Sequence, residues 1–389
     1  MVRLRAGLPA DPARPARRGA VVAALPAGRT RGGRVSEETP RLRRIGWKDV
    51  IQSVFGLVLV VLLISFGLPH LLDTSWAEIG AQLARVRLGT AVAMGALLLA
   101  GLFCYTWVVI GSLPGVGHVW ALRVNATTAT IANLLPLGAA VGVAAAWMML
   151  RSWGFSRSAV SSSFLVTALW NLLARVALPV VGCLVVVAGT VSAPRIVVTG
   201  ALLAGAVGIA VVVICSLMIF SDRVAGWVGR VLHTVLAPFV RTVRDGRGID
   251  HVVTEQRGRI EQVVRTGWWR MTLGMVGQFV FLFGLYWLAA RVVGLDLPVP
   301  ELICAYAFRQ FLTVMAVTPG GLGVTEVGTA GILVLFGGAP GAASATALLY
   351  AIYAHLLVVP FGLATLAAWW VRTGRRAAAA GGRSAVDLI

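Results

Sequence analysis

Two stretches decide how this sequence folds: AVTPGGLGVTEVG over Ala316–Gly328 and NLLPLGAAVG over Asn133–Gly142. Each lies inside a long apolar segment and interrupts it with proline and glycine. Proline cannot continue a helix and removes a backbone donor, while glycine permits positive φ and close backbone approach. The segments Ala121–Gly154 and Glu301–Gly337 are thereby split, the first at Pro136 and Gly138, the second at Pro319, Gly320, Gly321 and Gly323. Each arm falls short of the roughly 20 residues that a full crossing takes, so both segments read as re-entrant helical hairpins. A pair of kinked or tightly looped helices that cross fully is the alternative. Non-helical backbone at membrane depth is tolerated only when buried in protein or lining a cavity, so both breaks are expected to face the protein interior.

The rest of the chain explains why a bilayer sets the frame. Of its 389 residues, 58% are apolar and 13% charged, and the mean hydropathy is +0.86. A soluble domain is about a quarter charged, which makes this an integral membrane protein with little room for a soluble domain. The net charge of +19 raises the question of nucleic acid. That function needs basic residues on a folded, aromatic-interleaved surface, whereas these sit in tails and loops, and no nucleic-acid partner is expected.

Six full spans are predicted, near Ile51–His70, Leu88–Leu113, Ala159–Val187, Ile196–Phe220, Met271–Val293 and Ala342–Val371. With the two hairpins they give an all-α polytopic protein. Lys and Arg number 12 in residues 1–50, nine in residues 222–270 and four from Arg372 onward. The positive-inside rule then puts both termini and the central loop in the cytoplasm of a multi-pass protein of the cell membrane. Trp47, Trp120, Trp153, Trp268, Trp269, Trp369 and Trp370 fall near span ends, as interfacial belts require. Residues 1–45, rich in Arg, Pro and Ala, bury too little to fold and read as a disordered cytoplasmic tail. The transmembrane domain covers 46–372 and includes a basic loop at 222–270; residues 373–389 form a second short tail. Cys104, Cys183, Cys215 and Cys304 lie in apolar spans without metal-like spacing. No disulfide, metal or cofactor is expected.

The two broken segments also expose an internal duplication. Pro136 matches Pro319 at an offset of 183, which puts Gly138 on Gly321, and Pro179 matches Pro360 at 181. Each unit, about 88–190 and about 268–371, reads as span, broken hairpin, span. The extra span Ile196–Phe220 between them makes the second enter from the opposite side. Inverted repeats whose discontinuous helices meet near the midplane belong to proteins that rock between two membrane faces.

Three ionisable residues fall well inside apolar surroundings: Arg175, Arg309 and Glu326. A charge at a helix centre costs at least about 2.5–3.5 kcal/mol, so each needs a partner or water. The half-helix after the second break is expected to start near Gly323 or Val324, with its free N–H groups and positive dipole end making an anion site. Glu326 in its first turn either only complements the dipole or serves as a protonatable, cation-pairing group. Arg309, ten residues before Pro319 and so about 15 Å away along a helix, either snorkels or catches a phosphate near the outer mouth. Arg175, one turn after Asn171, is read as a phosphate-binding cation or the partner of Glu326 in preference to a structural pair. His355, with Tyr350 and Tyr353, reads as a packed polar residue more readily than as a proton carrier. Asn133 is expected to cap the arm before Pro136.

TPGGLGVTEVG, followed by a small-residue helix ending in LFGG, resembles the signature of the lysylphosphatidylglycerol synthase transmembrane region family, the flippase-like domain proteins. The likeness extends over roughly residues 45–372. It implies a polytopic inner-membrane protein linked to translocation of a lipid or lipid-linked substrate. In the aminoacyl-lipid synthases a large soluble transferase domain follows the membrane part; with 17 residues after Arg372, this sequence is expected to lack it. The family's first hairpin typically carries an Arg, Gly and Glu cluster after its Asn and Pro. Here Asn133 and Pro136 are kept, but the turn reads LeuGlyAlaAlaValGly, so the resemblance supports a charged site only at the second hairpin, through Pro319, Gly320, Gly321, Gly323 and Glu326.

The function expected is a translocase for a lipid or lipid-linked anionic substrate, its partner being membrane lipid with an anionic headgroup. No GxxxxGK[ST] string occurs and Lys48 is the sole lysine, which argues against direct ATP drive. One alternative is a non-catalytic scaffold partnering a cell-envelope synthase. An integral-membrane lipid-modifying enzyme fits less well, because Glu326 is the only deeply placed carboxylate and no nucleophile with a base accompanies it.

Overall fold

The computed structural model describes Val58 and residues 61–135, 138–188, 195–220, 249–315 and 321–386. Pro136, Pro319, Gly320, the N-terminal 45 residues, the start of the first predicted span and most of the central basic loop lie outside the described residues.

Every regular element among the described residues is helical. A π-helical turn at Leu63–Gly67 runs into α1 (Leu68–Leu72) and is followed by α2 (Trp76–Leu83) and α3 (Leu88–Ser112). The first broken segment supplies α4 (His118–Leu134) and α5 (Gly138–Ser152); α6 (Arg157–Val187) and α7 (Arg195–Phe220) come next. The second half comprises α8 (Ile249–Val292), α9 (Val299–Met315), α10 (Val324–Leu335), α11 (Pro340–Ala351), a π-helical turn at Ile352–Leu356, and α12 (Val358–Val386). Local signals set several starts. Ser75 accepts the Glu78 N–H while Glu78 reaches back to the Ser75 N–H, a reciprocal cap for α2. Ser156 caps α6 by accepting the Ala159 N–H.

Among the described residues, four helical stretches are long and apolar enough to cross a membrane: Leu88–Ser112, Arg157–Val187, Ile260–Val292 and Pro340–Thr373. Their outward faces remain apolar. On α8, Leu273, Val276 and Val280 repeat along one face and are 61%, 55% and 60% exposed, a pattern that suits lipid and not water. The opposite face packs on α3 through small residues: a Cβ at Gly274 would lie 2.7 Å from the Cys104 carbonyl oxygen, the close approach by which membrane helices associate. The chain is a helical multi-pass membrane protein.

Three features depart from the sequence expectation. The central segment is not loop throughout, because α8 begins at Ile249 and continues into the span. Ile260, Val263 and Val264 provide the reason, since their shared face packs beside Val108 and Met271. The C-terminal tail is helical to Val386, as its alanine run favours. The last span, expected to be continuous, carries the π turn at Ile352–Leu356, where the Leu357 N–H reaches back to the Ile352 carbonyl at 3.0 Å.

Packing between the two halves is reciprocal. α3 lies against α8; α4 of the first half lies against α12, and its counterpart α9 lies against α6. The side chains follow suit. Thr130 on α4 donates to the Val358 carbonyl at 3.2 Å, and Arg175 on α6 donates to the Thr313 hydroxyl on α9. Thr130 and Thr313 are separated by 183 residues, as are Arg175 and Val358.

Candidate functional site

The second break brings its two arms together through charge. Arg309 on α9 is 2% exposed and Glu326 in the first turn of α10 is fully buried, with Nη2 3.2 Å from Oε1. Glu326 Oε2 also accepts the Gly323 N–H at 2.5 Å. The Thr325 hydroxyl lies 2.8 Å from Glu326 Oε1 and 2.9 Å from the Gly321 carbonyl, and its single proton serves one of them at a time. Gly321 and Gly323 have φ of +76° and +85°, a backbone that glycine adopts without the strain a Cβ would add.

The expected start of this half-helix is therefore correct, but its N-terminus is not left open for a ligand. Glu326 occupies it with the reach-back half of a capping box, and Gly323 has no side chain to complete the other half. Arg309 is likewise not a mouth residue that snorkels. Its guanidinium carbon stands 4.4 Å from the ring centre of Tyr350, a cation–π contact in a desolvated setting. Tyr350 packs with Tyr286 and Tyr306 at ring-centre distances of 5.7 and 6.3 Å. Arg309 Nε and the Tyr286 hydroxyl are buried without a hydrogen-bond partner among the described residues.

Arg175 is not the partner of Glu326. It is partly buried in the middle of α6 and bonds the Thr313 hydroxyl, which in turn donates to the Gln310 carbonyl at 2.7 Å. Thr313 is one turn beyond Arg309 on α9, so both guanidiniums meet the same stripe of that helix. Asn171 does not pair with Arg175; its amide donates to the Tyr105 hydroxyl and the Thr167 carbonyl, both at 2.9 Å.

The first break is uncharged. Asn133 does not cap its own arm; it crosses to the π turn of the other half, donating to the His355 carbonyl at 3.1 Å while its Oδ1 lies 3.2 Å from His355 Nδ1. Those contacts put the ring proton on Nδ1 and leave Nε2 a buried acceptor with no partner among the described residues. His355 lies within electrostatic range of both Arg309 and Arg175. Gly138 sits under α4, where a Cβ would strike the Ile131 carbonyl, and so serves close packing of the arms.

The structure thus gathers Arg309, Glu326, Gly321 and Gly323 at one break, with Arg175 one turn away, and puts Asn171 and Gly138 in supporting contacts. Sequence reasoning missed Thr313, Thr325, Tyr286 and Tyr306. The spacing of Tyr306 and Thr313 from Arg309, three residues before and four after, puts all three on one helical face and was the available signal.

No curated protein matches the chain. The family profile described as lysylphosphatidylglycerol synthase TM region matches residues 51–362, a range that includes both broken segments, the Arg309–Glu326 pair and Arg175. With four-fifths of its length matched, this chain belongs to the lysylphosphatidylglycerol synthase transmembrane region family.

Proposed function

We propose that this protein translocates an anionic lipid or lipid-linked substrate across the cell membrane, without ATP and without catalytic chemistry of its own. Arg175 carries the reading. Its described hydrogen-bond partner is a neutral hydroxyl, and residues 88–220 contain no Asp or Glu to serve it. Glu326, the buried carboxylate at the break, is engaged by Arg309. Arg175 meets α9 with no carboxylate partner among the described residues, so its guanidinium is left uncompensated where charge is costly. A phosphate headgroup offsets that charge while its acyl or prenyl chains stay in lipid.

The reciprocal packing of α4 on α12 and of α9 on α6 supports a pseudo-twofold relation between oppositely oriented units, with both broken segments as re-entrant hairpins. The Thr130 and Arg175 contacts, related by the same 183-residue shift, support it at the level of side chains. Alternating exposure then amounts to rocking one unit against the other around a fixed site. The basic residues of the termini and central segment support a cytoplasmic location for those regions.

The test is a dithionite-bleaching assay on proteoliposomes carrying fluorescent phosphatidylglycerol. Protein-dependent bleaching of inner-leaflet probe, abolished by Arg175→Gln in a variant of unchanged melting temperature, is the expected result. Equal bleaching with and without protein, across several anionic lipids, would favour a scaffold for an envelope synthase instead.

A further inference from the structure

We propose that the protein carries a second lipid site, separate from the broken helices, which clasps the phosphate of an anionic phospholipid between α4, α5 and α12. A narrow cleft with a cavity volume of about 50 Å³ lies where the start of α4, the end of α5 and the middle of α12 meet. Its walls present Arg123 and Trp120 from α4, Ser152 and Trp153 around the end of α5, and Trp369 and Arg372 from α12.

The chemistry of these walls selects the ligand. Trp120 and Trp153 stack edge to face with ring centres 4.1 Å apart, and the Arg123 guanidinium lies 5.6 Å from the Trp120 ring. The Trp369 indole N–H donates to the Ser152 hydroxyl at 2.9 Å, tying α12 to α5 beside the cleft. Three tryptophans at one level mark the interfacial depth of a bilayer, where headgroups reside. The helices that wall the cleft, α4, α5 and α12, contain no Asp or Glu to pair with the two arginines. Neither Arg123 nor Arg372 forms an ion pair among the described residues.

A basic pocket between membrane helices, floored by tryptophan and open toward lipid, matches the phosphate of an anionic headgroup, with the acyl chains running along exposed Val119 and Trp370. Arg123 is ten residues before Asn133, about 15 Å along α4 from the first break. The cleft therefore holds the hairpin's outer end to α12 and lies outside the Arg309–Glu326 cluster. It stands whether or not the protein translocates lipid.

Native mass spectrometry of the full chain in detergent tests this, with cardiolipin, phosphatidylglycerol or phosphatidylcholine added in equal amounts. Wild type should retain the anionic lipids in preference to phosphatidylcholine. Arg123→Gln and Arg372→Gln should each weaken that retention roughly fivefold, the value of one juxtamembrane arginine, and the double variant should fall to the phosphatidylcholine level. Arg157→Gln, which removes an exposed charge near the same helix end but outside the cleft, should retain lipid as wild type does. If the double variant does not fold, the single variants decide. Unchanged retention in both of them, or equal loss in Arg157→Gln, overturns the site. Displacement of the lipid by millimolar inorganic phosphate overturns the lipid assignment in favour of a free anion.

Discussion

The two broken segments carry proline and glycine at matched positions but are held by different means. At the second, Arg309 and Glu326 form a buried ion pair that joins α9 to α10 within one half of the molecule. At the first, Asn133 and His355 join α4 to the π turn of the opposite half by neutral hydrogen bonds. Position 143, which the 183-residue shift aligns with Glu326, is a valine 45% exposed. The two segments thus share the break and not the chemistry. Charge is concentrated in one unit, while the other contributes Arg175 across the interface and a polar tether.

The comparison breaks most readily at the ion pair. Glu326→Leu leaves Arg309 buried and unpaired, and should cost about 3–5 kcal/mol, read as a large drop in detergent melting temperature. Replacing both partners with apolar side chains, Arg309→Met with Glu326→Leu, should recover most of that loss. A double variant as unstable as the single would mean that the pair itself, and not the orphaned charge, sets stability.

A smaller effect is expected from the backbone at the same break. Gly323→Ala forces a Cβ onto a residue with φ of +85° and should cost about 1–3 kcal/mol. Gly331→Ala, where a Cβ meets open space, should be neutral or slightly stabilising. Equal melting temperatures for the two would show that the break relaxes freely.

The smallest effect belongs to the first break. Asn133→Ala removes neutral hydrogen bonds to His355 and should cost about 0.5–1.5 kcal/mol, as thermal unfolding would register. A loss as large as that of Glu326→Leu would make the two breaks equivalent in strength and remove the contrast between them.

These contrasts also show what the sequence could reveal. The start of α10 was legible because three glycines, a proline and a glutamate in the first turn act through local geometry. The pairing of Arg309 with Glu326 was not, since they are 17 positions apart across a break whose turn angles no residue pattern specifies. Arg175 was recognisable as buried, but its partner Thr313 is 138 positions away and depends on how α6 lies on α9. The π turn at Ile352–Leu356 has no proline or glycine of its own to announce it, and only its contact with Asn133 gives it meaning. The family assignment, by contrast, followed from the one string where local chemistry and function coincide.

The charged break as a substrate site is tested most directly by lipid scrambling in proteoliposomes containing the Arg309→Met, Glu326→Leu double variant. The protein should be folded, with a melting temperature near that of wild type, and should bleach fluorescent phosphatidylglycerol no faster than empty vesicles. A folded double variant that bleaches at the wild-type rate would show the pair to be structural and would place translocation elsewhere in the molecule.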